Sequence, residues 1–214
     1  MGVMNIVAFR TAPGRLEDHL ALTAGATERL RGLGLAAVPM QALVGADVGT
    51  ISMVVNHASN ADYVAGVAKL QSDAGWQAFY ADAMKSQAAE LVENSLFSDL
   101  DPSFQPDPGR PLGAVLATQW APKAGRLTEF IERVGQAGEH VARMGGRQRP
   151  MQCVIGAHPL TILIPVGFED LDAYGAYADT AAADPAWQEL WGGFVADPSA
   201  DLVRSGIYVN ISGD

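Results

Sequence analysis

Adding 111 to a residue number in the first half of this chain lands on its counterpart in the second half, with no gap anywhere, and no other feature limits the fold as much. Gly14-Arg15-Leu16 recurs as Gly125-Arg126-Leu127, and Pro39-Met40-Gln41 as Pro150-Met151-Gln152. Thr50-Ile51 recurs as Thr161-Ile162, and Leu91-Val92 as Leu202-Val203. Across residues 5–100 and 116–211, 22 of 96 aligned positions are identical. Self-similarity at a fixed offset marks one structural unit made twice. Between the copies, Asp101 to Leu112 carries Pro102, Pro106, Pro108 and Pro111, a density that favours an extended, semi-rigid connector. The expected division is repeat one over 1–100, linker over 101–112 and repeat two over 113–214.

Each copy has the same internal pattern. A short apolar strand, Ile6 to Phe9 or Val115 to Trp120, leads through a Pro/Gly turn into a helix over about Arg15 to Leu33. In the second copy Leu127, Phe130, Ile131, Val134, Val141 and Met144 form one helical face. Gly34 and Gly145-Gly146 stop the helix. A hairpin follows, Val38 to Val44 and Thr50 to Asn56, turning at Gly45 or Gly156. A second helical region, Asn60 to Met84, breaks near Asp73 and Asp184, and Glu90 to Phe97 closes the unit. The order β-α-β-β-α-β is the split βαβ, or ferredoxin-like, arrangement, an antiparallel sheet with both helices on one face. The bare face needs a cover, and two fused copies can supply it to each other as an α+β barrel within one chain.

That order, with Asp-Ala-Gly-Trp-Gln at 73–77 and Asp-Pro-Ala-Trp-Gln at 184–188, resembles the dimeric α+β barrel superfamily. Within it the chain resembles NIPSNAP-like and antibiotic-biosynthesis-monooxygenase-like proteins. The resemblance implies a pocket between each sheet and its own two helices. It also implies either a cofactor-independent monooxygenase, isomerase or cyclase, or a non-catalytic binding or assembly protein. Fold alone does not choose between them.

A formal net charge of −10 argues against a nucleic-acid or anionic-membrane surface. No apolar run approaches the roughly 18 residues that span a bilayer, and the N-terminus lacks the regions of a signal peptide. A cytoplasmic protein is expected, a pseudo-dimer within one chain that is free to dimerise further. The single cysteine, Cys153, opposes Ala42 on a core strand and reads as a small buried hydrophobe. No Walker loop, dinucleotide fingerprint, nucleophile elbow or metal-ligand spacing is present, so no cofactor and no metal are expected. Haem would need a lone histidine as axial ligand.

The candidates for chemistry are few. His19 and His57 face Phe130 and Phe168 in the other copy, so the two copies differ in these polar groups, and the chemistry is expected in copy one. Either is a general base or metal ligand, or a capped, partly buried histidine. His140 and His158 oppose Arg29 and Asp47, and His158 sits at a hairpin tip. Gln41, like Gln152, is polar in mid-strand and either meets a ligand or bridges backbone between the copies. Trp76 and Tyr63, with counterparts Trp187 and Tyr174, either stack on a ligand or pack the core. Arg10 either meets an anionic substrate or marks a strand end, and Arg143, Arg147 and Arg149 form a basic cluster on a turn.

Overall fold

The computed structural model describes residues 1–104 and 112–212. Pro106, Pro108 and Pro111 of the expected linker lie outside the described residues. The first half runs β1 (Val3–Thr11), α1 (Leu16–Gly32), β2 (Ala36–Gly45), β3 (Thr50–His57), α2 (Asn60–Ser72), α3 (Ala74–Ser86) and β4 (Ala89–Asp99). The second runs β5 (Ala114–Pro122), α4 (Leu127–Arg143), β6 (Arg147–Gln148), β7 (Met151–Ile155), β8 (Ile162–Phe168), α5 (Leu171–Ala183), α6 (Pro185–Ala196) and β9 (Ala200–Asn210). The two halves differ in one respect: the strand that is continuous as β2 is split into β6 and β7.

Local chemistry accounts for these boundaries. α1 and α4 end where Gly34 and Gly145 take left-handed backbone, at φ +78° and +92°. The helical region that follows each hairpin starts on a side-chain cap: Ser59 accepts from the Asp62 amide and Asp170 from the Ala173 amide.

The sheet order is β5-β9-β2-β3-β1-β4-β7-β8, and β5 pairs again with β8, so eight antiparallel strands close into a barrel with β6 added at β8. The bare sheet faces therefore do not merely cover one another. The halves also join edge to edge, at β2–β9 and β4–β7. Closure satisfies strand edges that would otherwise be free to pair elsewhere. Each seam carries a bulge, at Leu43 in one and Val154 in the other, 111 residues apart. Strand pairs β1–β4 and β5–β9 carry bulges at Ala8/Phe9 and Gln119/Trp120, again 111 apart. Bulges raise the local twist that barrel closure requires. Gly45 sits against the Ser205 backbone and Gly156 against Ser95, so the strands cross at the seams closer than a Cβ allows.

Met4, Phe97, Met151, Cys153 and Leu163 pack the barrel interior. Burial pushes the Cys153 thiol up in pKa, as suits an inert core residue. A polar network crosses the same interior. Arg204 on β9 donates to Glu93 on the opposite strand β4 at 2.6 and 2.9 Å, and to Gln119 at 2.7 Å. Gln119 donates onward to Thr161 at 2.7 Å, and Ser95 donates to Glu93 at 2.8 Å. Glu93 and Arg204 occupy the same place in the two halves, 111 residues apart, with opposite charge.

Candidate functional site

A cavity of about 760 Å³ lies in the second half, between the sheet and its helices. Its floor is Leu116, Thr118 and Trp120 of β5 with Ile164 and Val166 of β8. Phe130, Val134 and Val141 of α4 form one wall. Tyr177 and Ala181 of α5 form another, and Trp187, Trp191 and Phe194 of α6 a third. The spacing of 187, 191 and 194 puts three aromatic rings on one face of α6. Trp187 stacks on Trp191 at 6.5 Å and Trp191 on Phe194 at 5.6 Å, while Trp120 meets Phe194 edge-on at 5.3 Å. The Trp120 indole N–H is turned to Thr118 Oγ1 at 2.9 Å, which leaves an almost wholly apolar floor. Gln148 crosses over α4 where Gly138 leaves room, and donates to the Val134 carbonyl at 2.9 Å.

The Asp-x-x-Trp-Gln element is a joint that presents the tryptophan. Asp184 accepts from the Trp187 amide at 2.7 Å, and Gln188 donates back across the helix break to the Ala181 carbonyl at 3.0 Å. Asp73 and Gln77 do the same for Trp76, at 2.6 and 2.8 Å. The second half adds ion pairs that the first lacks. Arg143 of α4 holds Asp184 at 2.7 Å, and Arg126 holds Asp197 at 2.7 and 2.8 Å, so both ends of α6 are tied to α4, whereas the Arg126–Glu129 pair repeats Arg15–Asp18 of the first half. The first-half counterparts of Arg143 and Asp197 are Gly32 and Ser86, which cannot form these links.

This clamp has a pH signature. Arg143's hydrogen bond, followed by the Trp187 amide, holds the Asp184 carboxyl at a pKa of about 2. A depressed carboxylate contributes stability above its unfolded pKa of about 3.9, and that contribution fades as pH falls toward the folded value. Asp184→Asn keeps a capping oxygen but no charge. Between about pH 4 and pH 2, the wild-type melting temperature is expected to fall further than that of the variant. Parallel melting curves for the two proteins would contradict the clamp.

The expected site residues are dispersed over the first half. His19 is buried on α1, bonds Thr11 at 2.9 Å and meets Phe9 edge-on. Burial lowers its pKa. His57 is buried at the far end of β3, where Val3 is its strand partner. It contacts Tyr63 edge-on at 5.4 Å and lies 3.6 Å from Asp62. Burial lowers its pKa, and Asp62 opposes that. The two histidines thus sit at opposite ends of β1 and share no site. Arg10 is exposed opposite Glu90. Gln41 and Gln152 lie at the two seams, paired through their backbones with Val209 and Ser98. Neither amide takes a side-chain hydrogen bond among the described residues. Trp76 packs against Leu30, Leu35 and Val55. The basic cluster is divided: Arg143 goes to Asp184, and Arg149 to Asp99 at 2.7 Å and Asn56.

None of these residues lines the cavity, and the aromatic residues that do were visible only in part. Phe130 stood out as a helical-face residue and Trp187 as the counterpart of Trp76. Trp191 and Phe194 carried a usable signal in their spacing from Trp187. Among the described residues no group of three His, Cys, Asp or Glu is placed to hold a metal, and no helix is long and apolar enough to cross a membrane. The lining has no histidine or cysteine, so it offers haem iron no imidazole or thiolate. Burial pushes the Tyr177 phenol up, away from the phenolate that a haem would need. Haem does not fit this cavity.

No protein-family model matches the chain, and neither does any curated relative. Solved structures do match. A protein named as a monooxygenase from Fusobacterium nucleatum aligns over 98% of this chain and 94% of its own, with TM-score 0.66 and 14% identity. An anthrone oxidase-like protein aligns over 100% and 94%, with TM-score 0.58 and 15% identity. A heme-binding protein from Thermus thermophilus aligns over 98% and 90%, with TM-score 0.54 and 11% identity. The chain shares their fold. At these identities the likeness extends to architecture and no further.

Proposed function

We propose that this chain binds a predominantly apolar, ring-bearing small molecule in the second-half cavity. The observation that carries this reading is a space of about 760 Å³ walled by Trp120, Phe130, Trp187, Trp191 and Phe194. Its size and lining are those of small-molecule sites, which are concave and mostly apolar with a few polar groups. The tandem duplication belongs to the same proposal. It is supported by the gapless register and by bulges and seams that recur 111 residues apart. In this reading the first unit serves as the partner that closes the barrel, and the second holds the ligand. The narrower NIPSNAP-like resemblance has only the Asp-x-x-Trp-Gln joint behind it.

Two activities fit such a pocket. Structural neighbours named as a monooxygenase and as anthrone oxidase-like support an oxygenase activity. The lining supports simple binding: Glu189 is its only carboxylate, Arg133 its only cation, and it has no histidine. Three of the four tryptophans line the cavity, so binding is readable by fluorescence. Titration with fluorene is expected to quench emission saturably, and equally in a Trp76→Phe variant. Quenching that does not saturate up to the probe's solubility limit would overturn the pocket reading. Anthrone oxidation faster than in buffer would select the oxygenase, and an unchanged rate the binding protein.

A further inference from the structure

Tyr177 is 6% exposed, and its side chain forms part of the cavity wall. Its ring is anchored by Phe168 at 5.0 Å. Its hydroxyl has no hydrogen-bond partner among the described residues. A buried tyrosine normally finds a partner for its hydroxyl, and leaving one without is costly. Among the described residues, only Ser98 and Ser199 have fully enclosed, unpartnered side-chain oxygens. The Tyr177 oxygen is therefore not sealed in packing, and the residue that carries it lines the cavity. Of the other polar groups there, Thr118 is occupied by Trp120, and the amide nitrogens of Gln148 and Gln188 are committed to backbone carbonyls. Arg133 is held by Glu129 and the Asp197 carbonyl, while Gln136 and Glu189 are exposed to solvent. Tyr177 is left as the buried donor of the lining that has no partner among the described residues.

The first half shows that the fold does not need this residue. Its counterpart is Gly66, where a Cβ would press on the His57 ring and on Leu35. One half thus has no room for a side chain beside the His57 ring, while the other holds a phenol beside the Phe168 ring.

Resting on the pocket reading above, we infer that Tyr177 is the residue that selects the ligand, donating its hydroxyl to an acceptor oxygen on an otherwise apolar ring system. The class is a neutral carbonyl-bearing aromatic rather than a pure hydrocarbon or a cation. A cation would lack the acceptor, and a hydrocarbon would leave the phenol unpaired.

The test uses two probes of one skeleton on the full chain: fluorene, which has no acceptor, and 9-fluorenone, which has a carbonyl. One hydrogen bond corresponds to a roughly fivefold preference. Wild type is expected to bind 9-fluorenone about fivefold more tightly than fluorene. Tyr177→Phe is expected to bind both with the wild-type affinity for fluorene, at an unchanged melting temperature, because the hydroxyl it removes holds nothing in the fold. Equal preference in wild type and variant would overturn the assignment and leave the pocket standing. A lower melting temperature in the variant would show a structural hydroxyl and overturn it too. Failure of both probes to bind wild type would remove the pocket itself.

Discussion

Arg204→Met is expected to cost the fold about 3 kcal/mol, the scale seen when one partner of a buried ion pair is removed. Arg204 and Glu93 are 20% and 10% exposed at the side chain, and the arginine donates to Gln119 as well. Without it, the Glu93 carboxylate stays inside the barrel with Ser95 as its remaining hydrogen-bond partner among the described residues. The double variant Glu93→Leu with Arg204→Met should cost less than Arg204→Met alone, because no unpaired charge remains. Burial pushes the Glu93 carboxyl up, but the hydrogen bonds and charge of Arg204 outweigh it and hold the pKa below the usual value. This stabilisation is therefore present above the unfolded carboxylate pKa and is lost as pH falls through the folded one. Urea denaturation of the variants at neutral pH measures the effect. Equal midpoints for wild type and Arg204→Met would show that the pair contributes nothing to closure.

Trp120→Ala is expected to destabilise by about 3–5 kcal/mol, the range for large-to-small core substitutions of aromatics. Trp120 is 8% exposed and touches Phe130, Trp191 and Phe194. Its loss removes the shared contact of the floor and two walls. Trp76→Ala in the first half should cost less, since Trp76 is only partly buried at the edge of its cluster. Denaturant midpoints with an unchanged slope would show the difference as stability rather than as altered compactness. A Trp76→Ala cost equal to that of Trp120→Ala would contradict the deeper packing of Trp120.

The repeat made most of the architecture legible. Periodicity and helix stops placed the elements to within a few residues, except for the split of β6 from β7, and the break at Asp73 and Asp184 was plain from capping chemistry. The seams were not legible. Which strand edges meet depends on bulges at Leu43 and Val154, and a single skipped residue leaves no mark in an apolar run. The site was legible only in part, because polar singularity is a poor guide to an apolar pocket. His19 and His57 differ between the copies, but each is absorbed locally, by Thr11 and by Asp62 with Tyr63. The more telling difference was in apolar positions: Tyr177 against Gly66, and Phe194 against Ala83. A substitution of that kind reads as core variation until the helices are seen standing away from the sheet.

Hydrogen–deuterium exchange of the full chain, with and without saturating 9-fluorenone, tests the placement of the ligand most directly. Slowed exchange confined to α4, α5 and α6, with α1, α2 and α3 unchanged, is the result predicted here. Protection of α1 and α3, or of no segment at all, would contradict a ligand site in the second half.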